Sequence, residues 1–100
     1  MATPEGRVKK KIRDYLKERG AYHYMPVQNG MGVVGIPDIV GCYKGQFFAI
    51  EVKAPGKKST VTPNQQNQIN LIGAAQGHVC VADCVEDVRI LFLGMSDGSD

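Results

Sequence analysis

Two carboxylates and a lysine stand at a spacing that could bring them together on a β-hairpin. Asp38 ends the run Gly-Ile-Pro-Asp that begins at Gly35, and Glu51 and Lys53 flank Val52 after a stretch rich in β-branched and aromatic residues. Two opposed carboxylates can hold a divalent cation, and a neighbouring lysine can act on a water molecule or on a negatively charged group. This combination suits the cleavage of phosphodiester bonds.

The residues between these motifs predict the register of the hairpin. Lys44-Gly45 is the expected two-residue loop, because glycine supplies the positive φ that a tight turn needs. Counting outward from this loop places Asp38 opposite Glu51 on the same side of the sheet, and Lys53 shares that side. An ordinary surface hairpin with scattered charges is the alternative. It does not explain why like charges, which destabilise a sheet when directly opposed, face each other.

A helix is expected before the hairpin and another after it. Thr3 and Pro4 form the first helix start, and Arg19-Gly20 forms its end. The second helix begins at a capping box, with Thr62 as N-cap and Gln65 three residues later, and should bury one apolar side before ending near residues 76–77. The helix should continue through Ile69, Leu71, Ile72 and Ala75, with Ile69 and Ile72 near its buried side.

Two side chains at these helix starts leave alternatives open. Glu5 lies on the inward stripe of the first helix, where it either stabilises the helix dipole or reaches the metal site. Gln65 either serves only as a cap or hydrogen-bonds a phosphate or a metal-bound water. The residues alone favour the cap for Gln65 and do not decide between the two interpretations of Glu5.

Three further segments predict strands, at residues 21–27, 78–82 and 88–93. The first should lie at a sheet edge because it contains Pro26. The glycine-rich residues 28–35 predict a mobile loop that could approach a substrate backbone. We expect one domain over residues 1–94, followed by a flexible tail over residues 95–100.

The composition is that of an ordinary globular domain. The 100 residues are 43% hydrophobic and 22% charged, and no run is long enough to span a membrane. The N-terminus lacks a signal-peptide core, which favours a cytoplasmic protein. The net charge of +2 does not by itself indicate nucleic acid binding, but basic residues crowd the first helix and follow Lys53. The residues expected to contact phosphates are Lys9, Lys10, Arg13, Lys57 and Lys58.

The three cysteines are expected to be reduced thiols. Cys42 stands alone, and the spacing of Cys80 and Cys84 after His78 matches no structural zinc pattern.

In this order, the motifs resemble the PD-(D/E)XK nuclease superfamily, and specifically its virus-type replication-repair nuclease (VRR-NUC) domain. In that family a Gly-x-Pro-Asp strand precedes a Glu-Val-Lys strand, and a helix then opens with Thr-Pro-x-Gln. Here these motifs stand at residues 35–38, 51–53 and 62–65, and Glu5 matches the acid of the first helix. The resemblance extends to about Leu93. It departs at residues 66–69, where many relatives carry a bulky aromatic residue.

The resemblance implies an α/β (α+β) fold with a restriction-endonuclease-like core, α-β-β-β-α-β, whose central mixed sheet is flanked by helices. It implies Mg²⁺ or Mn²⁺ held by Asp38, Glu51 and the carbonyl of Val52. Lys53 would orient or deprotonate the attacking water, or neutralise the charge that develops on the phosphate. The implied catalytic set comprises Glu5, Asp38, Glu51, Lys53 and Gln65.

The implied activity is that of a metal-dependent endonuclease that hydrolyses DNA phosphodiester bonds. We expect it to select DNA structure in the manner of a Holliday-junction resolvase, in replication or repair in a bacterial or phage-infected cell. The expected assembly is a homodimer, which would present two sites to a branched substrate, without membrane association. A catalytically inactive DNA- or junction-binding module on the same fold is the alternative, and the intact acids argue against it. A third possibility is an unrelated small interaction protein with a chance motif.

Overall fold

The computed structural model describes residues 2–28 and 32–97, with side chains through Met95. In these ranges the chain forms an α+β fold with a four-stranded mixed sheet and three helices. The elements follow the order α1 (Pro4–Glu18), β1 (Tyr22–Tyr24), β2 (Ile39–Tyr43), β3 (Gln46–Val52), α2 (Pro63–Ala74), β4 (His78–Ala82) and α3 (Val85–Asp97), with a 3-10 turn at Lys58–Thr60.

The sheet has the strand order β1-β2-β3-β4, with β1 at one edge as predicted. The first two pairings are antiparallel, and β3 pairs with β4 in parallel. Tyr43 pairs with Gln46, which confirms the predicted register of the hairpin. Both loop residues, Lys44 and Gly45, have positive φ angles of 51° and 80°, as a tight two-residue hairpin loop requires.

The start of α1 follows the prediction, whereas β1 is shorter than predicted. The Thr3 hydroxyl accepts a hydrogen bond from the Gly6 N–H, and Pro4 occupies the first turn. Strand β1 covers three residues instead of residues 21–27 and ends before Pro26, which has no N–H to donate to the sheet. Of the predicted loop 28–35, residues 29–31 lie outside the described residues.

The predicted strand at residues 88–93 is wrong, because this segment belongs to α3. Val88, Phe92 and Met95 recur at helical spacing and are buried together in the core. A short apolar run does not distinguish a strand from a buried helix. The predicted tail begins at Met95, which is a buried residue of α3. Residues 95–97 continue the helix, and residues 98–100 lie outside the described residues.

The core lies on one face of the sheet, under α1 and α3. There the ring of Phe92 stacks on Tyr43, with centroids 4.4 Å apart, and meets the edge of Phe48 at 5.2 Å. Helix α2 follows β3 and packs with only part of its apolar surface. Ile69 and Ile72, on the predicted buried side, are half-buried, while Leu71 and Ala75 are exposed.

Candidate functional site

Asp38 and Glu51 meet where β2 begins and β3 ends. Ile39 pairs with Ile50, so Asp38 and Glu51 form the next position outward, as the predicted register requires. The Val52 N–H donates to Asp38 Oδ2 at 2.9 Å, which fixes this carboxylate at the end of the hairpin. Glu51 lies in the buried last part of β3 and is only 3% exposed, which is unusual for an acidic residue. A buried acid with a second acid beside it needs a proton or a cation.

The environment of Glu51 favours its neutral form. Burial raises the pKa of the Glu51 carboxyl to about 8, and the charge of Asp38 and its hydrogen bond with Glu51 act in the same direction. Lys53 opposes this change, and Glu5 at the start of α1 adds to it. With no cation between the two acids, Glu51 therefore keeps its proton near neutral pH. A cation bound there would favour the charged form and oppose this shift.

Gln65 connects the second helix to the acid pair. Its Oε1 accepts from the Thr62 N–H at 3.0 Å, which closes the predicted capping box, and from Lys53 Nζ at 2.9 Å. Its Nε2 donates to Glu51 Oε2 at 3.1 Å. Lys53 Nζ lies 3.9 Å from the same Glu51 oxygen. The side chain of Gln65 therefore acts as a cap and also contacts the site.

Gly35 brings the loop before Asp38 against the start of α2. Its φ is +79°, and a Cβ at this position would lie 2.7 Å from the backbone nitrogen of Gln65 and in contact with Asn64. Only glycine fits such a close approach at this φ. The contact holds the β2 and α2 ends of the site together. Sequence reasoning missed this role, because the spacing of Gly35 from Asp38 carries no sign of which helix the loop will touch.

Of the predicted site residues on α1, Lys9 and Glu5 lie near the acid pair, whereas Lys10 and Arg13 lie farther along the helix. Lys9 Nζ lies 3.5 Å from Asp38 Oδ1, so this predicted phosphate contact lies at the acid pair itself. Glu5, one turn earlier, is close enough to raise the pKa of Glu51. Lys10 pairs with Asp14 at 3.0 Å on the surface of the same helix. Arg13 lines a groove of about 420 Å³ between α1 and Met25.

Lys58, another predicted phosphate contact, is engaged elsewhere. Its Nζ lies 3.1 Å from Asp87 and 4.0 Å from Asp83 at the start of α3. These two acids and Cys84 place ligand atoms within 4.8 Å of one another, a group that sequence reasoning did not propose. The signal available in the sequence was the acidic first turn of α3. The predicted strand at residues 88–93 left this turn in a connecting segment, where no cluster was expected. Lys57 is exposed next to Lys58.

The two carboxylates of this second group already have partners within the protein. Besides Lys58, the Gly56 N–H donates to Asp83 at 2.9 Å, and the Asp83 N–H donates to Asp87 at 3.1 Å.

All three cysteines are free. Burial raises the pKa of the Cys80 thiol to about 12, so Cys80 stays protonated near neutral pH.

No protein-family model matches the chain, and a comparison with curated proteins also finds no match. The resemblance to the VRR-NUC domain therefore depends on the motifs quoted above. Within residues 2–28 and 32–97, no helix combines the length and the apolar character that crossing a membrane would require.

Proposed function

We propose that this protein is a divalent-metal-dependent nuclease that hydrolyses DNA phosphodiester bonds. The observation that carries the proposal is the buried carboxyl of Glu51 beside the half-buried carboxyl of Asp38, with Lys53 and Gln65 hydrogen-bonded to each other and Gln65 to Glu51. Such a pair costs free energy unless a cation or a proton neutralises it, so a purely structural role gives no reason for it. The order of α1, the three antiparallel strands, α2 and the parallel β4 also supports a restriction-endonuclease-like core, to which α3 is added.

The donor atoms suit Mg²⁺ or Mn²⁺. Carboxylate and carbonyl oxygens are the ligands that these hard cations prefer, and the proposed set is Asp38, Glu51 and the carbonyl of Val52. When bound, such an ion polarises the scissile phosphate and lowers the pKa of a coordinated water.

Lys53 supplies the second part of the chemistry. Its side chain is 11% exposed, and Gln65 Oε1 and the Thr60 carbonyl oxygen, at 2.9 and 3.4 Å, hold its ammonium group near Glu51. A preorganised positive charge at this place orients the attacking water or stabilises the charge that develops on the phosphate. Glu5, whose charge acts on Glu51, belongs to the same acidic environment.

The assembly and biological setting extend the proposal. We propose a homodimer that selects branched DNA, in replication or repair in a bacterial or phage-infected cell. Exposed Phe47 and Leu71 border an apolar cavity of about 400 Å³ beside α2, which gives a second copy a surface to bury.

The test is a cleavage assay with Mn²⁺ over single-stranded, duplex, flap and four-way DNA. We expect Glu51→Gln and Lys53→Met to cut at least about 100-fold more slowly than the parent. Glu86→Gln is the matched control, because Glu86 pairs with Arg89 on the surface of α3 and should retain parental activity. Calorimetric titration should show Mn²⁺ binding that Glu51→Gln weakens. A parent that binds no Mn²⁺, or a Glu51→Gln variant that cuts at the parental rate, would contradict the proposal.

A further inference from the structure

Two exposed tyrosines on the edge strand β1 serve no purpose in the core. Tyr22 is 69% exposed and Tyr24 is 53% exposed, and their ring centroids lie 6.3 Å apart with a tilt of 58°. We call these two residues the tyrosine platform. Two adjacent exposed aromatic side chains form a patch of the kind that marks binding surfaces.

The platform lies on the same face of the sheet as the acid pair. Tyr24 pairs with Val40, and Val40 is two residues from Asp38, so the side chains of Tyr24 and Asp38 project to one side. From a rise of about 3.3 Å per residue and about 4.8 Å between strands, the Cα atoms of Tyr24 and Asp38 are roughly 8 Å apart. The core residues Phe48 and Phe92 lie on the opposite face.

A positive groove lies on the other side of edge strand β1 from the platform, where α1 covers the sheet. Met25, the residue after Tyr24, lines the groove of about 420 Å³ on α1. The groove also contains Gly6, Lys9, Lys10, Arg13, Asp14 and Lys17. Lys10 balances Asp14, and the remaining cations leave the groove positive. Its helical wall from Gly6 to Lys17 is about 16 Å long at 1.5 Å per residue, and Lys9 connects it to Asp38.

We propose that the tyrosine platform and this basic groove bind a single-stranded nucleic acid segment beside the scissile phosphate. The segment crosses the sheet edge at β1, so that phosphates lie along the groove and unpaired bases stack on Tyr22 and Tyr24, the combination that single-strand binding proteins use. This inference rests on the proposed function, and it specifies the substrate as DNA with an unpaired arm or flap next to the cleavage point. A continuous duplex keeps the faces of its bases stacked on one another and cannot use the platform.

The test measures binding in EDTA, so that no cleavage occurs. The full chain is titrated into a fluorescein-labelled oligothymidine and into a duplex of equal length, and anisotropy is recorded. We expect the double variant Tyr22→Leu/Tyr24→Leu to bind the single strand at least about 10-fold more weakly, since stacking contributes about 1–3 kcal/mol per base. Duplex binding should change less than about twofold. Tyr22→Phe/Tyr24→Phe keeps both rings and should bind as the parent does.

The groove is tested in the same assay with Lys17→Gln, which removes an exposed charge. It should lower single-strand affinity and reduce the salt dependence by about 0.7 per lost phosphate contact. Lys11→Gln is the matched control, because Lys11 lies on α1 outside the groove and should leave the salt slope unchanged. The chain has no tryptophan, so quenching of tyrosine fluorescence gives a second readout of stacking.

The outcomes separate this inference from the proposed function. If no DNA is cut but the leucine variant still loses single-strand binding, the platform stands and the nuclease proposal fails. If cleavage depends on Glu51 but the leucine variant binds the single strand as tightly as the parent, the inference is overturned. A leucine variant that changes only the mass of the protein in light scattering also overturns it, because the tyrosines would then face a second copy.

Discussion

At the scale of single residues, Gln65 shows how one side chain can stabilise a helix and order a candidate site. Its Oε1 accepts from the Thr62 N–H and from Lys53, and its Nε2 donates to Glu51. The helix needs only the contact with Thr62. The contacts with Lys53 and Glu51 fix a cation and an acid relative to each other, which catalysis requires and capping does not.

A pair of variants separates these two roles of Gln65. Thr62→Ala removes the hydroxyl that caps the Gln65 N–H and should cost about 1 kcal/mol of unfolding free energy in urea. Its Mn²⁺-dependent cleavage should stay within about threefold of the parent. Gln65→Ala also frees Lys53 and should lower cleavage about 10-fold or more. Equal loss of activity in the two variants would mean that Gln65 acts only through the helix.

The buried acid predicts how metal-free stability depends on pH. The pKa of Glu51 is about 8 in the folded protein, against an ordinary value of 4.5. Below about pH 4.5 both folded and unfolded chains hold this proton. As the pH rises toward 8, the unfolded chain releases this proton before the folded chain does. The free energy of unfolding therefore falls, by a total of about 1.4 kcal/mol for each unit by which the folded pKa exceeds the unfolded one.

The measurement compares the parent with Glu51→Gln by thermal unfolding in EDTA from pH 5 to pH 8.5. We expect the Tm of the parent to fall relative to the variant across this range, because glutamine cannot lose a proton. Other titrating groups are common to both proteins and cancel in the difference. A difference in Tm that stays constant with pH would show that Glu51 is not the group responsible.

At the scale of elements, local signals predicted the helix starts and the hairpin. Thr3, Thr62 and Lys44-Gly45 act through contacts within a few residues, so their effect is visible in the sequence. The interior of α3 was not predicted, because the apolar run at residues 88–93 taken alone also fits a strand. The helical spacing becomes visible only when Met95 is read together with Val88 and Phe92.

The same reasoning explains what could be foreseen of the candidate site. The opposition of Asp38 and Glu51 follows from counting along the hairpin, so it could be predicted. The contact of Gly35 with Gln65 joins two distant segments and could not. The exposure of Leu71 was also unpredictable, because a helical stripe shows which side is apolar but not whether a partner covers it.

The packing of α3 predicts how two neighbouring substitutions change the free energy of unfolding. Phe92 is 2% exposed and contacts the rings of Tyr43 and Phe48, so Phe92→Ala should cost about 3–5 kcal/mol. Leu93 is the next residue on the helix and is 53% exposed, so Leu93→Ala should change stability by less than about 0.5 kcal/mol. Urea unfolding measures both. Similar losses for the two variants would contradict the exposed position of Leu93 on α3.

At the scale of the whole molecule, the charges are arranged around the acid pair. Lys53 and Lys9 approach it from β3 and from α1, while Lys58 is held at the start of α3 by Asp87. The positive surface near the proposed cleavage point therefore lies mainly along α1. A strand bound there would place its phosphates close to Asp38, with the apolar surface beside α2 left for another contact.

The apolar surface beside α2 predicts a homodimer. A single carboxylate introduced into this surface should dissociate it. Light scattering of the parent should give twice the 10.9 kDa of a single chain. Leu71→Glu places a carboxylate beside the cavity that Phe47 lines and should shift the mass to that of one chain, because a buried unpaired charge is costly. Leu93→Glu introduces the same charge at a residue of nearly equal exposure on α3 and should leave the mass unchanged. A parent of single-chain mass, or equal behaviour of the two variants, would rule out this surface as the dimer interface.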